Sequence, residues 1–335
     1  MLNLAKIRAF AQNADLYEER QSDLRKECLK LWKIPDRARS APSKPDPKSK
    51  FFELMKGESS DYMNFKAEEL TQEKLKAITS VYDYYCIVLG METNSQSHTC
   101  FILSLGRNHI FWKEPTTLGG RWIKLDLKMD LPANTLLFAE LIQELNGEGR
   151  AQRRFKAVHI LDAICLGGDD VRALSFMERV NYVQKFVKAV SKPSIPNLTP
   201  IKTKEIVPLK EVDQVFDHLT MKVVKGSGGI PQLCYSMTDG KHFIPSGLLI
   251  IKTVEYPWTI AYSKTNQRTY FFNTKTRTSV FDGPSEAVSS FRSCYISRIF
   301  WSWDSGVKLV DGHTAASGKV HRHTITDFVD HALGR

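Results

Sequence analysis

The stretch Trp258–Pro284, WTIAYSKTNQRTYFFNTKTRTSVFDGP, decides how the C-terminal half is read. Thr, Tyr, Phe, Ile and Val recur in short runs that suit a pleated, half-buried surface. The runs predict three strands: Ile260–Ser263, Thr269–Asn273 and Thr278–Phe281. Between them lie two polar, basic turns, Lys264–Arg268 and Thr274–Arg277. A unit this small has almost no interior, so one large ring must anchor it. Trp258 before the first strand and Pro284 after the third are placed to pack on each other. Asn273 closes the second strand. The plainer reading is a three-stranded extension of the preceding domain.

These residues resemble a WW domain. The resemblance implies recognition of proline-rich or phosphorylated peptides and no chemistry. It makes Trp258, Pro284 and Asn273 structural, and it makes Tyr270 and Phe281 the walls of a peptide slot. The family usually carries a second Trp at the position of Phe281, so this slot has a smaller ring and no N–H donor. Lys264 and Arg268 sit where a phosphate on the peptide would be met. Taken alone, they read more simply as an ordinary solvated turn.

Composition bounds the rest. The chain has 335 residues, 42% apolar and 25% charged, which fits globular protein with more than one domain. No apolar run approaches a membrane span, and the N-terminus lacks a signal-peptide pattern. The six cysteines lie far apart without a C-x-x-C, which argues for buried thiols in a reducing compartment. The net charge of +10 is spread along the chain, so RNA or an acidic peptide is a plausible partner beside a merely basic solvated surface.

Residues Leu4–Trp32 carry an apolar stripe at helical spacing, and Ser40–Lys50, SAPSKPDPKSK, reads as a proline-rich linker. From Phe51 to Lys252, strand-like runs dominate: Tyr84–Leu89, Thr99–Leu105, Asn108–Trp112, Arg121–Leu125, Thr135–Leu145, Ala157–Leu166 and Gly247–Thr253. Helices are expected at Ala173–Val190 and Leu209–Leu219. Strands in succession with few helices predict an α+β class. After Pro284, strands are expected at Ser293–Trp303 and Val307–Val310. A polar loop should follow at Asp311–His323, then a helix at Thr324–Ala332 capped by Thr324 or Thr326.

Three segments in order resemble the mRNA capping guanylyltransferase family of covalent nucleotidyltransferases. They are TLLFAELIQEL (Thr135–Leu145), AVHILDAICLGGDDV (Ala157–Val171) and HFIPSGLLIIK (His242–Lys252), with Met177, Arg179 and Phe186 continuing the likeness on the helix. The family's nucleophile is a lysine in Lys-x-Asp-Gly, which this chain lacks. Lys44-Pro45-Asp46-Pro47 falls in the linker, and Lys124-Leu125-Asp126-Leu127 has no glycine. Phe138 and Ser246 replace two acids, though Glu140 remains. The resemblance implies a nucleotidyltransferase-like fold without catalytic residues.

Such a domain followed by a WW-like unit, with KAVSKPSIPNL, RWIKLDLK, ELNGEGRAQR and EYPWTIAYSK, resembles the C-terminal part of the cap-specific mRNA 2′-O-ribose methyltransferases. The implied division is a methyltransferase-end helix over 1–35, a linker over 36–50, a guanylyltransferase-like domain over 51–252, a WW domain over 253–286, and further strands and a helix over 287–335. The family converts cap 0 to cap 1 with S-adenosylmethionine, is nuclear, and uses its WW domain on the phosphorylated RNA polymerase II tail. Its methyltransferase domain, Lys-Asp-Lys-Glu tetrad and G-patch have no counterpart here. The chain therefore reads as a fragment, a short isoform or an incomplete gene model. It is expected to hold no cofactor or metal and to be inactive alone. Its expected partners are the polymerase tail, the methyltransferase domain and, indirectly, capped mRNA, with no membrane. The alternatives are a residual nucleotide-binding or guanylylating domain and a general RNA-binding module.

Several suggestive strings have plainer readings. Lys225–Gly229, KGSGG, lacks P-loop spacing and reads as a turn. His321, His323 and His331 read as a solvated tail, and Asp169-Asp170 as a helix cap.

Overall fold

The computed structural model describes residues 46–56, 66–91, 99–115, 121–191, 198–302 and 322–334. The expected helix over Leu4–Trp32 and the strand over Val307–Val310 lie outside them, as do His321 and most of the Asp311–His323 loop.

In chain order the strands are β1 Glu68–Glu69, β2 Tyr84–Gly90, β3 Thr99–Ser104, β4 Ile110–Lys113, β5 Ile123–Lys124, β6 Thr135–Asn146, β7 Arg153–Leu166, β8 Asp169–Asp170, β9 Ile201–Thr203 and β10 Val207–Pro208. They continue with β11 Leu219–Val223, β12 Pro231–Ser236, β13 His242–Phe243, β14 Pro245–Lys252, β15 Trp258–Ser263, β16 Arg268–Asn273, β17 Ser279–Val280 and β18 Ile299–Ser302. The α-helices are α1 Pro47–Met55, α2 Gln72–Ala77, α3 Phe176–Val190, α4 Val212–Asp217, α5 Phe291–Ile296 and α6 Arg322–Leu333. The class is mixed α+β, with three sheets among the described residues.

The smaller body sheet has the order β1-β18-β14-β2-β10. The larger runs β11-β12-β13-β6-β3-β4-β5, with β7 along β6 and with β8 and β9 on β7. Successive side chains of a strand point to opposite faces, so a strand covered on both sides reads as an unbroken apolar run. That is why YCIVL, CFILS and GLLII carry no alternation. Ile87, Leu89, Leu249 and Ile251 enter one core with Phe101, Leu103, Leu136 and Phe138. Their neighbours Cys86, Val88, Leu248 and Ile250 enter another with Val212 and Phe216 of α4 and Ile325 and Val329 of α6. The far face of the large sheet, with Ile102, Leu137 and Ile160, is covered by Val183 and Phe186 of α3.

Helix α3 begins at Phe176 because Ser175 and Glu178 form a capping box. Glu178 N–H donates to Ser175 Oγ at 3.3 Å, and Ser175 N–H donates to Glu178 Oε2 at 3.0 Å. Arg179, one turn in, is fully buried. Its Nε and Nη2 each donate to Asp162 of β7 at 2.8 Å, and Nη1 donates to Leu174 O at 2.5 Å. Gly247 is confined by close approach, since a Cβ there would fall on Trp301 O and the Phe300 ring.

Several local expectations are corrected. The linker expected to run to Lys50 ends earlier, because Asp46 caps α1 through Lys48 N–H and Ser49 N–H with Pro47 in the first turn. The strand expected over Ser293–Trp303 is α5 followed by β18. Spacing i, i+3, i+4 puts Phe291, Cys294 and Tyr295 on one buried face, and Ser290 caps the helix. Asp169-Asp170 caps no helix: the pair forms β8 on Cys165–Leu166, and Asp170 binds Arg172 and Lys56. Thr324 and Thr326 lie inside α6, where Thr326 Oγ1 donates to Asp213 Oδ1 at 3.3 Å. The helix expected over Leu209–Leu219 is a 3₁₀ turn, Leu209–Glu211, leading into α4. Lys225–Gly229 is the turn of the β11–β12 hairpin, in line with its plainer reading.

The third sheet, β15-β16-β17, is the small module. Its chain entry and exit are held side by side. Val254 bridges Val288, and Glu255 N–H donates to Ala287 O at 3.0 Å. The outer edge of β15 is covered by the body. Asp83, 1% exposed, accepts from Ile260 N–H at 2.6 Å and from Thr259 Oγ1 at 2.8 Å, while Ser80 Oγ donates to Ile260 O. Tyr82 stacks on Tyr262 with centroids 6.2 Å apart. An edge strand needs such cover.

Candidate peptide-binding face and charged interior

The module's two sides differ in kind. Strands β15 and β16 pair in register, with Trp258 opposite Asn273, Ile260 opposite Phe271 and Ala261 opposite Tyr270. Trp258, Ile260 and Phe271 form one side with Val254 and Ala287. Trp258 is 7% exposed, and its Nε1 donates to Glu286 Oε1 at 3.1 Å. Asn273 is buried, and its Oδ1 accepts from Lys275 N–H and Thr276 N–H, both at 3.0 Å, which fixes the second turn. Pro284 is half-buried and its carbonyl accepts from Ala287 N–H. A Cβ at Gly283 would meet the Phe271 ring, so the chain passes close there.

Arg268 and Tyr270, two apart on β16, share the other side. The β16–β17 register pairs Phe271 with Val280, which brings Phe281 beside Tyr270. The two rings meet edge to face, centroids 6.3 Å apart at 71°. Phe281 stays 43% exposed. Arg268 Cζ lies 3.6 Å from the Phe281 centroid. Lys264 is exposed at the first turn. Tyr270, Phe281 and Arg268 are therefore together, with Lys264 at the adjoining turn.

A second constellation is not among the residues that sequence reasoning singles out as a site. Between α3, β7, β9, β12 and β13 lies a cavity of about 470 Å³ whose walls include Val88, His159, Lys202, Lys204, Tyr235 and Phe243. Glu140 and Glu144, both buried, project from the same side of β6. Glu144 meets His159 Nε2 at 2.7 Å, Lys202 Nζ at 2.6 Å and Lys241 Nζ at 2.9 Å. Lys202 also reaches Asp239 at 2.6 Å. Lys204 Nζ lies 2.9 Å from Glu140 and 3.9 Å from the Phe243 ring centroid. Burial pulls the Lys204 and His159 pKa values down, against their carboxylate neighbours. The signal for this site was the i, i+4 glutamates of β6 and the alternating Lys202 and Lys204. Each lysine already holds a carboxylate of this chain. An entering phosphate would have to break a buried pair and leave a carboxylate uncompensated.

Phe138 and Glu140 are both engaged within the chain. Phe138 is 2% exposed and packs against Phe101 and Tyr295, with Arg298 Cζ 4.7 Å from its centroid. Glu140 Oε1 accepts from Gly90 N–H at 2.6 Å. Among the described residues no group of three or more His, Cys, Asp or Glu is placed to hold a metal.

Glu144 makes the interior sensitive to acid. Burial alone would raise its pKa, but bonds from His159, Lys202 and Lys241 outweigh burial and bring it from the ordinary 4.5 to about 2. A lowered pKa stabilises the fold above the unfolded value, and that stabilisation drains away as pH falls from 4.5 through about 2. Wild-type urea midpoints should therefore drop over this window. Glu144→Gln should start lower at pH 7 and flatten the slope between pH 4.5 and pH 2; an unchanged slope would show that Glu144 does not govern it.

No family model matches the chain. It is 48% identical over 328 residues to the cap-specific mRNA (nucleoside-2′-O-)-methyltransferase 1 of Bos taurus, covering 97% of this chain and 38% of that protein. The Homo sapiens protein of that name is 45% identical with the same coverage. The Drosophila melanogaster one is 28% identical over 352 residues, 100% of this chain and 43% of that protein. The chain thus spans well under half the length of these homologues.

Proposed function

We propose that this chain, homologous to part of the cap-specific mRNA (nucleoside-2′-O-)-methyltransferases 1, is a non-catalytic recruitment scaffold of an mRNA cap-methylating protein. The body is a guanylyltransferase-like fold without its chemistry. The β15–β17 module is a WW-type reader within 253–286, and the body draws its elements from both sides of it, with α5, β18 and α6 following the module in the chain. The observation that carries this reading is the Tyr270–Phe281 pair, Phe281 exposed and Tyr270 half-buried, with Arg268 against it. Against nucleotidyl transfer stand Phe138 in an aromatic cluster and Glu140 held by Lys204 and Gly90.

In this reading the whole protein methylates the first transcribed nucleotide in the nucleus, and its methyltransferase domain supplies the cofactor site. S-adenosylmethionine does not fit the cavity beside β7 and β9. The carboxylates that would receive ribose hydroxyls are tied to lysines, and β6 pairs antiparallel with each of its neighbours. The body docks on the methyltransferase domain, and the module engages the phosphorylated RNA polymerase II tail. Tethering of this kind raises local concentration at the nascent capped RNA.

The test is a titration of the chain with polymerase-tail heptad peptides, phosphorylated and unphosphorylated, at physiological salt. The phosphorylated form should bind more tightly. Tyr270→Ala should weaken it at least tenfold, about 1.4 kcal/mol. Unchanged binding in Tyr270→Ala would remove the slot assignment, and no binding of either peptide would leave the module a structural part.

A further inference from the structure

Arg268 does more in this geometry than wait for a phosphate. Its Cζ stands 3.6 Å from the centroid of Phe281, at stacking distance. Tyr270 meets the same ring edge to face. One face of Phe281 is thus already taken by a group of this chain. Phe has no N–H to offer, so ring packing is all that Phe281 can give a ligand. An apolar ligand ring that stacks there must push the guanidinium into water and forfeit the cation–π attraction, which is worth about 0.5–1 kcal/mol at an exposed site. A phosphoryl group next to that ring changes the exchange. It accepts two parallel N–H bonds from the guanidinium and draws it off the ring, so a stronger interaction takes the place of the cation–π one.

We propose that Arg268 is a latch on the Tyr270–Phe281 pair, closed to unmodified proline-containing peptides and opened by a phosphorylated serine or threonine beside the proline. This deepens the recruitment reading and rests on it. The rings favour a peptide over a nucleic acid. At 71° and 6.3 Å they make a notch that suits a compact pyrrolidine, whereas stacked bases want parallel faces. Arg268 would then set specificity by penalising the wrong ligand as well as attracting the right one.

The experiment compares wild type, Arg268→Gln and Tyr270→Ala against one Ser-Pro heptad peptide, phosphorylated and not, with a single-stranded RNA oligomer as a third ligand. Arg268→Gln should lose at least tenfold in affinity for the phosphorylated peptide. It should gain about two- to fivefold for the unmodified one, the range implied by the cation–π attraction. Arg268 is exposed, so the variant should fold. A loss for the phosphopeptide with no gain for the unmodified peptide would make Arg268 a plain phosphate ligand and overturn the latch, while Tyr270→Ala still reported on the slot. Binding of no peptide by any variant would instead remove the recruitment reading itself. RNA that binds more tightly than the phosphopeptide and is weakened by Tyr270→Ala would assign the face to nucleic acid and overturn the proposal.

Discussion

Arg179→Met is expected to destabilise the chain by about 3–5 kcal/mol, read as a fall in the urea midpoint. The guanidinium is fully buried, and it binds the Asp162 carboxylate through two bonds of 2.8 Å. It also reaches Ser289 O at 3.5 Å and lies 5.7 Å from the ring centroids of Phe176 and Phe291. It thereby joins β7, α3 and the segment after the module. Met restores volume and takes from the buried Asp162 the cation that holds it by two bonds, leaving only the attraction of the nearby Arg298, which is the costly event. Converting both partners, Arg179→Met with Asp162→Leu, should recover part of the loss, because the buried carboxylate goes with its cation, while the buried Arg298 forfeits its attraction to Asp162. A single variant that costs less than about 1 kcal/mol would show that this pair is not the tie between those elements.

Asp83→Ala is expected to free the module before the body unfolds. Burial pushes the Asp83 carboxyl above the usual carboxylate range, against the bonds from Ile260 N–H and Thr259 Oγ1 that pull it down. Alanine leaves the Ile260 N–H without its acceptor, at a cost of about 1–3 kcal/mol. Asparagine keeps an acceptor oxygen for Ile260 and carries no charge, so Asp83→Asn should cost clearly less. Hydrogen exchange at Ile260 is the readout, and it should quicken in Asp83→Ala while amides of β6 and β7 hold. Equal exchange in wild type and Asp83→Ala would mean that the remaining contacts, the Ser80–Ile260 bond, the Tyr82–Tyr262 stack and the Val254–Val288 bridge among them, carry the junction without Asp83.

Much of the architecture is legible because the central strands are covered on both faces. Tyr84–Leu89, the first half of Thr135–Leu145 and Gly247–Thr253 stand out as apolar runs, and the helix expected over Ala173–Val190 is there from Phe176. Two-residue strands such as β1, β8, β10 and β13 have no period to detect. The α5 segment, FRSCYI, reads as strand because a six-residue helix and a strand share its aromatic and small residues. In the module, turn spacing places Tyr270, Phe281 and Arg268 near one another. It does not show Arg268 lying on Phe281, which depends on a diagonal between the paired strands β16 and β17. The charged interior is hidden for a topological reason. Lys202 and Lys204 reach Glu140 and Glu144 only because β9 runs parallel to β7 after a crossover through α3, and such pairings leave no local mark.

The paired entry and exit of the module have a mechanical consequence. Strands β14 and β18, which flank it in the chain, are neighbours in one sheet, paired from Gly247 with Ser302 to Ile250 with Ile299. To the body, the module is an enlarged loop between two adjacent antiparallel strands. A pull on a bound peptide is shared by both strands and by the Val254–Val288 bridge. A reader strung on a terminal tail would pass the same load through one strand. Tension on any ligand held by the module would here be borne at two anchor points.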